Sequence, residues 1–151
     1  MKNRVWYVKE NETKFFENLQ RDDAFQVIIN GKDIQKENEF IYAIAEGFHF
    51  PVYSATEGKY IEWYPTAYKY PNNQVLSWDG LSDWITDLSW IESDRIHLII
   101  ENYRFFLIEF PIEKEYIIEF FEKKVLPWWE REVVDYTVGG KSKSFSLYLI
   151  D

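Results

Sequence analysis

The segment Ser77-Trp78-Asp79-Gly80-Leu81-Ser82-Asp83-Trp84-Ile85-Thr86-Asp87-Leu88 sets Asp79, Asp83 and Asp87 four residues apart. At helical spacing three carboxylates then stack on one face. Trp78, Leu81, Trp84, Ile85 and Leu88 form the opposite, apolar stripe, and Ser77 is a fitting N-cap. A helix that buries tryptophans while holding like charges toward water accepts a repulsive cost, and such a face suits a cationic partner. Paired acids can also hydrolyse glycosides, with aromatic rings lining the sugar site. Against that chemistry, acids one turn apart on an exposed face have no cleft to raise one pKa. His49 and His97 are the only histidines, and neither has a partner at metal-ligand spacing. No Gly-rich phosphate loop, Gly-x-Ser-x-Gly elbow or zincin motif is present. An enzyme is therefore not expected, nor a cofactor or metal.

Composition narrows the partner. The chain has 151 residues, suited to a single domain over 1–151, with Lys+Arg 17 against Asp+Glu 26 and a formal net charge of -9. Phosphate binding needs a basic footprint, so nucleic acid and anionic membranes are not expected partners. Steering toward a basic protein is compatible with this balance. With no cysteine in the chain, thiol catalysis, disulfides and Cys-ligated metals are excluded. The N-terminus lacks the apolar run of a signal peptide, and no stretch reaches the roughly 20 apolar residues that span a bilayer. A cytoplasmic monomer is expected.

The elements that position the acidic face follow from periodicity. Phe25-Gln26-Val27-Ile28-Ile29 is a strand ending at the Asn30-Gly31 turn. From Lys36 to Gly47, Phe40, Ile41, Ile44 and Ala45 keep helical spacing. Ile96-His97-Leu98-Ile99-Ile100 is an apolar run typical of a strand covered on both faces, where His97 takes a structural role. Ile112 to Val125 reads as a helix, and Pro127 either kinks it or starts a new helix carrying Trp128 and Trp129. On such a helix the two tryptophans point apart, leaving one partly exposed. Ser144 to Ile150 alternates as a final strand. Helices between strands imply a small parallel three-stranded α/β sheet packed with helices. Residues 1–24 form an N-terminal extension, with Val5–Val8 a candidate added edge strand and Phe15, Phe16 and Leu19 a short helix. Residues 54–76 are an aromatic-rich insertion, either functional or holding its own small hairpin. Rings there, Trp63 and Tyr64 among them, have the character of interface anchors.

Three places give the chain a family resemblance. Ile29-Asn30-Gly31-Lys32-Asp33-Ile34, Phe50-Pro51-Val52-Tyr53 and Asp79-Gly80-Leu81-Ser82-Asp83 occur in this order. They resemble the Ile-Asn-Gly-x-x-Ile turn, the Leu-Pro-x-Tyr segment and the Asp-Ala-Leu-Trp-Asp helix of the barstar family of intracellular ribonuclease inhibitors. The resemblance implies that Asp79, Asp83 and Tyr53 contact a basic ribonuclease or nuclease toxin, whose phosphate-binding cations the carboxylates engage. Asp87 is an accessory on the same face, and Trp63 and Tyr64 would add specificity. Two departures stand out: Ser82 replaces the family's tryptophan, and the segment between Tyr53 and Ser77 is longer than the family's loop. The alternative they favour is an interaction domain of the same fold with a non-nuclease partner.

Overall fold

The computed structural model describes residues 2–9, 11–54, 59–61 and 77–151. Its centre is a parallel sheet of four strands, β1 (Val5–Val8), β2 (Phe25–Asn30), β5 (Arg95–Glu101) and β6 (Ser144–Ile150), in the order β1-β6-β5-β2. The α/β class is the expected one, but the sheet has four strands instead of three. The candidate edge strand Val5–Val8 pairs in parallel with β6, Val5 beside Leu147 through Val8 beside Ile150. Buried Asn3 fastens this addition. Its Oδ1 accepts from the Phe145 N–H at 3.1 Å, and its Nδ2 donates to the carbonyls of Leu126 and Lys143 at 3.2 and 3.0 Å.

Helices α1 (Thr13–Arg21), α2 (Glu37–Gly47), α3 (Trp78–Ile85) and α4 (Pro111–Phe120) surround the sheet. The main core gathers Val27, Ile29, Leu98, Ile100, Leu147 and Leu149 from the strands with Phe40 and Ile44 of α2, Leu81 and Ile85 of α3, and Ile117 and Ile118 of α4. Ile99, Tyr148, Ile150 and Val8 form a second buried cluster with Leu19 of α1. Two clusters on one sheet explain why β5 reads as an unbroken apolar run: each of Ile96 to Ile100 is buried.

The turn after β2 has a specific job. Asn30 Oδ1 accepts from the Lys32 N–H at 3.0 Å and from Asn102 Nδ2 at 2.9 Å, tying the end of β2 to the end of β5. Gly31 permits the approach, because a Cβ there would lie 2.5 Å from the Asn102 carbonyl oxygen. At the other end of β5, His97 Nε2 lies 3.0 Å from Asp22 Oδ2, and Arg95 binds both Asp22 and Asp23. The His97 hydrogen bond, then Arg95, lowers the Asp22 carboxyl to about 2. His97 is thus a buried structural residue with its ring edge-on to Tyr148.

At the start of the aromatic-rich insertion, β3 (Val52–Ser54), most of which precedes it, and β4 (Lys59–Ile61), which lies inside it, form an antiparallel hairpin, with Tyr53 paired to Tyr60. Beyond α4 the chain stays helical. Wide i→i+5 turns at Phe121–Val125 and Trp128–Glu132 lead into α5 (Val133–Tyr136). Pro127 sits at φ -64° and ψ -34°, so the run passes through it without a break. The wider turns accommodate a residue that lacks an N–H and crowds the preceding turn.

Candidate acidic-helix interface

The site rests on α3, which begins where the sequence puts it. Ser77 is extended at φ -91° and ψ 171°, and its Oγ accepts from the Gly80 N–H at 3.1 Å. Asp79 lies in the first turn, where a carboxylate suits the positive end of the helix dipole. Asp79 and Asp83 are both exposed, one helical turn apart. The opposite side is anchored by Leu81 and Ile85, which are fully buried. A face whose back is packed this way presents its charges with little conformational freedom left to lose.

The third carboxylate leaves the column. Helix α3 ends at Ile85, and the N–H groups of Asp87 and Leu88 both donate to the Trp84 carbonyl at 3.1 Å. Leu88 adopts φ 47°, a left-handed conformation rare for a non-glycine residue, and its side chain is fully buried. Core burial of Leu88 turns the chain inward against its local preference. Asp87 is therefore an exposed turn residue whose Oδ1 accepts from the Ser89 N–H at 3.2 Å. The expected stack of three acids on one helix becomes a pair with a neighbour in the following turn.

Two tryptophans on the stripe are half-buried and pack against the core, as their spacing implies. Trp78 donates its indole N–H to Glu37 of α2, and its ring meets Tyr116 and Phe120 edge-on at 5.5 and 5.3 Å. Trp84 meets Trp90 at 5.6 Å, and Trp90 donates to the Phe48 carbonyl at 2.7 Å. The far end of α3 is held by Trp129, which is buried and donates Nε1 to the Ile85 carbonyl at 2.8 Å. Thr86 Oγ1 donates to the Ser82 carbonyl at 2.7 Å. The Trp129 bond satisfies a carbonyl that a helix C-terminus leaves without an intrahelical partner, whereas Thr86 Oγ1 adds a second donor to the Ser82 carbonyl, which already accepts from the Thr86 N–H at 3.2 Å. Glu37 and Trp129 position α3 from 41 and 44 residues away, and no local pattern marks them for that role. Trp128 is the partly exposed member of its pair, as expected.

Ser82 is not on the exposed face. It is 7% exposed, pointing away from the water that bathes the flanking aspartates. A tryptophan at this covered position would need the surroundings to repack. The backbone of Tyr53 lies in β3, while its side chain, and Trp63 and Tyr64 entirely, fall outside the described residues. Among the described residues no group of three or more His, Asp or Glu side chains is arranged to hold a metal, and no helix is long and apolar enough to cross a membrane.

A family model described as Barstar (barnase inhibitor) matches residues 61–139, more than half of the chain. The matched stretch holds α3, β5, α4 and α5, whereas β2, α2 and the Asn30-Gly31 turn lie before it. No curated protein and no solved structure matches the chain.

Proposed function

The chain belongs to the barstar family, and from that premise we propose that it is an inhibitor or immunity-type protein. In this reading it blocks a cognate basic ribonuclease or nuclease toxin through the acidic face of α3. One observation carries the reading: Asp79 and Asp83 stand exposed, one turn apart, on a helix whose opposite side is locked into the core. A ribonuclease holds its substrate's phosphates with Arg, Lys and His. Two carboxylates on a rigid helix imitate two neighbouring phosphates without offering a bond to cleave. Asp87 extends the negative field at the helix end, and Tyr53, Trp63 and Tyr64 are the residues proposed to give specificity.

Because the attraction is between charges at a solvent-accessible surface, association should be fast at low salt and weaken as salt screens it. Titration of the purified protein into a panel of small basic ribonucleases and nuclease toxin domains, at low and high salt, tests this directly. Stoichiometric loss of cleavage that relaxes with salt supports the reading; inhibition indifferent to salt speaks against it.

A second reading draws on Ser82. Its covered position leaves the acidic face without a ring between the two aspartates, so a partner that relies on such a ring would find none. An interaction domain of the same fold with a non-nuclease partner fits that feature. Co-purification from native lysate separates the two, since only the first requires a strongly basic partner.

A further inference from the structure

The two edges of the four-stranded sheet are built differently. The β1 edge has only four residues, Val5–Val8, and sits between cations: Lys2 and Arg4 precede it and Lys9 follows. Short length and flanking charge are the usual means of keeping an edge from pairing with another chain. The β2 edge is longer, and the charges that flank it are of both signs, Asp22 and Asp23 before it and Lys32 and Asp33 after it. Its six residues, Phe25-Gln26-Val27-Ile28-Ile29-Asn30, carry no charge and no proline. Among the described residues no strand pairs with its outer side. A groove of about 360 Å³ runs beside it, lined by Gln26 to Asn30 together with Asp33, Ile34, Ala43, Glu46 and Gly47. Ile28 remains 49% exposed there.

We propose that β2 pairs antiparallel with β2 of a second copy of the chain, joining two four-stranded sheets into one. The strand's own sequence argues for this occupant. Alternate residues point their backbone groups outward, so a two-fold pairing must be centred on a residue, not between residues. Centred on Val27, it sets Phe25 opposite Ile29 and Val27 opposite itself on the core-facing side. Aromatic and β-branched pairs of this kind favour each other across strands. On the other side Gln26, whose Nε2 donates to the Leu19 and Asp22 carbonyls of its own chain at 2.7 and 3.2 Å, stands opposite Ile28. The same register brings the Asp22 end of one strand to the Lys32 end of the other. Centring on Ile28 would instead set Asp23 against Asp33, like charge against like. The pairing departs from the monomer expected from the sequence, and it does not depend on the proposed inhibitory function.

Sedimentation equilibrium of the full chain from about 1 to about 200 µM tests the pairing, since mass action makes it concentration-dependent. The mass should climb from 18.4 kDa toward twice that value. Ile28→Lys places a charge at a half-exposed site. It should keep the circular-dichroism spectrum and melting temperature close to the parent's while holding the mass at the monomer value. Tyr7→Lys, on the β1 edge and 67% exposed, should associate like the parent. A monomer mass across the whole range overturns the proposal. So does association that survives Ile28→Lys, or that is lost only in Tyr7→Lys.

Discussion

Replacing Trp129 by Phe separates a hydrogen bond from the ring that makes it. The Trp129 Nε1–H donates to the Ile85 carbonyl at 2.8 Å in a buried setting, closing the C-terminal end of α3. Phenylalanine keeps an aromatic ring but leaves that carbonyl without its donor, a penalty of about 1–3 kcal/mol. It also removes about 40 Å³ of side chain, worth about 1 kcal/mol if the space stays empty. The sum is about 2–4 kcal/mol. At about 2–4 °C per kcal/mol for a chain of this size, the melting temperature should fall by about 4–16 °C. The neighbouring residue is an internal control. Trp128 is half-buried, and its Nε1, though inaccessible, has no protein partner among the described residues. Trp128→Phe removes no such bond, so its cost should be confined to lost packing, about 1 kcal/mol. Urea unfolding of both variants, followed by tryptophan fluorescence and far-ultraviolet circular dichroism, gives the two values on one scale. Equal losses, or a smaller loss for Trp129→Phe, would refute the claim that this indole holds the acidic helix in place.

Other substitutions probe the remaining supports. Gly31→Ala forces a Cβ to within 2.5 Å of the Asn102 carbonyl oxygen and should cost about 2–3 kcal/mol of unfolding free energy by overpacking, measured in urea. Asp22→Asn tests the cluster at the start of β5. The wild-type carboxyl is lowered to about 2, so its stabilisation is complete above the ordinary carboxyl pKa near 4 and is lost as pH falls through 2. The stability gap between wild type and Asp22→Asn should therefore close between about pH 4 and pH 2; a constant gap contradicts the assignment. Ser82→Trp restores the family's ring at a position that is 7% exposed. It should destabilise by about 1–3 kcal/mol in urea melts, whereas an unchanged midpoint would mean the ring escapes to the surface.

Most of the frame was legible because its periodicities are strong. The apolar run from Ile96 to Ile100, the alternation from Ser144 to Ile150, and Ser77 ahead of an amphipathic helix each rest on a local pattern, and each appears where that pattern puts it. The fourth strand was only a candidate, since four residues carry little signal and their pairing depends on Asn3 reaching Leu126, Lys143 and Phe145 far along the chain. The departure of Asp87 from the acidic column had no sequence mark either. Helices commonly stop at glycine or asparagine, but here Leu88 takes the left-handed turn because the core claims its side chain. Glu37 and Trp129 were invisible as positioning residues for the same reason: what they do is decided by tertiary contacts. The burial of Ser82 also came from the fold, and it changes what its departure from the family's tryptophan means. The position does not display a smaller contact residue, because it displays none.

The central claim is that the exposed pair on α3 engages a basic ribonuclease, and one comparison tests it most directly. Against a ribonuclease or toxin domain that the wild-type protein inhibits, Asp79→Ala and Asp83→Ala should each weaken inhibition by about tenfold or more at low salt. Glu122→Ala, an exposed acid on the helical run after α4, should change it by less than about twofold. The two aspartate effects should shrink together as salt rises. Equal loss at all three positions would reduce the interaction to net charge, and full inhibition by Asp79→Ala and Asp83→Ala would contradict the acidic-helix account outright.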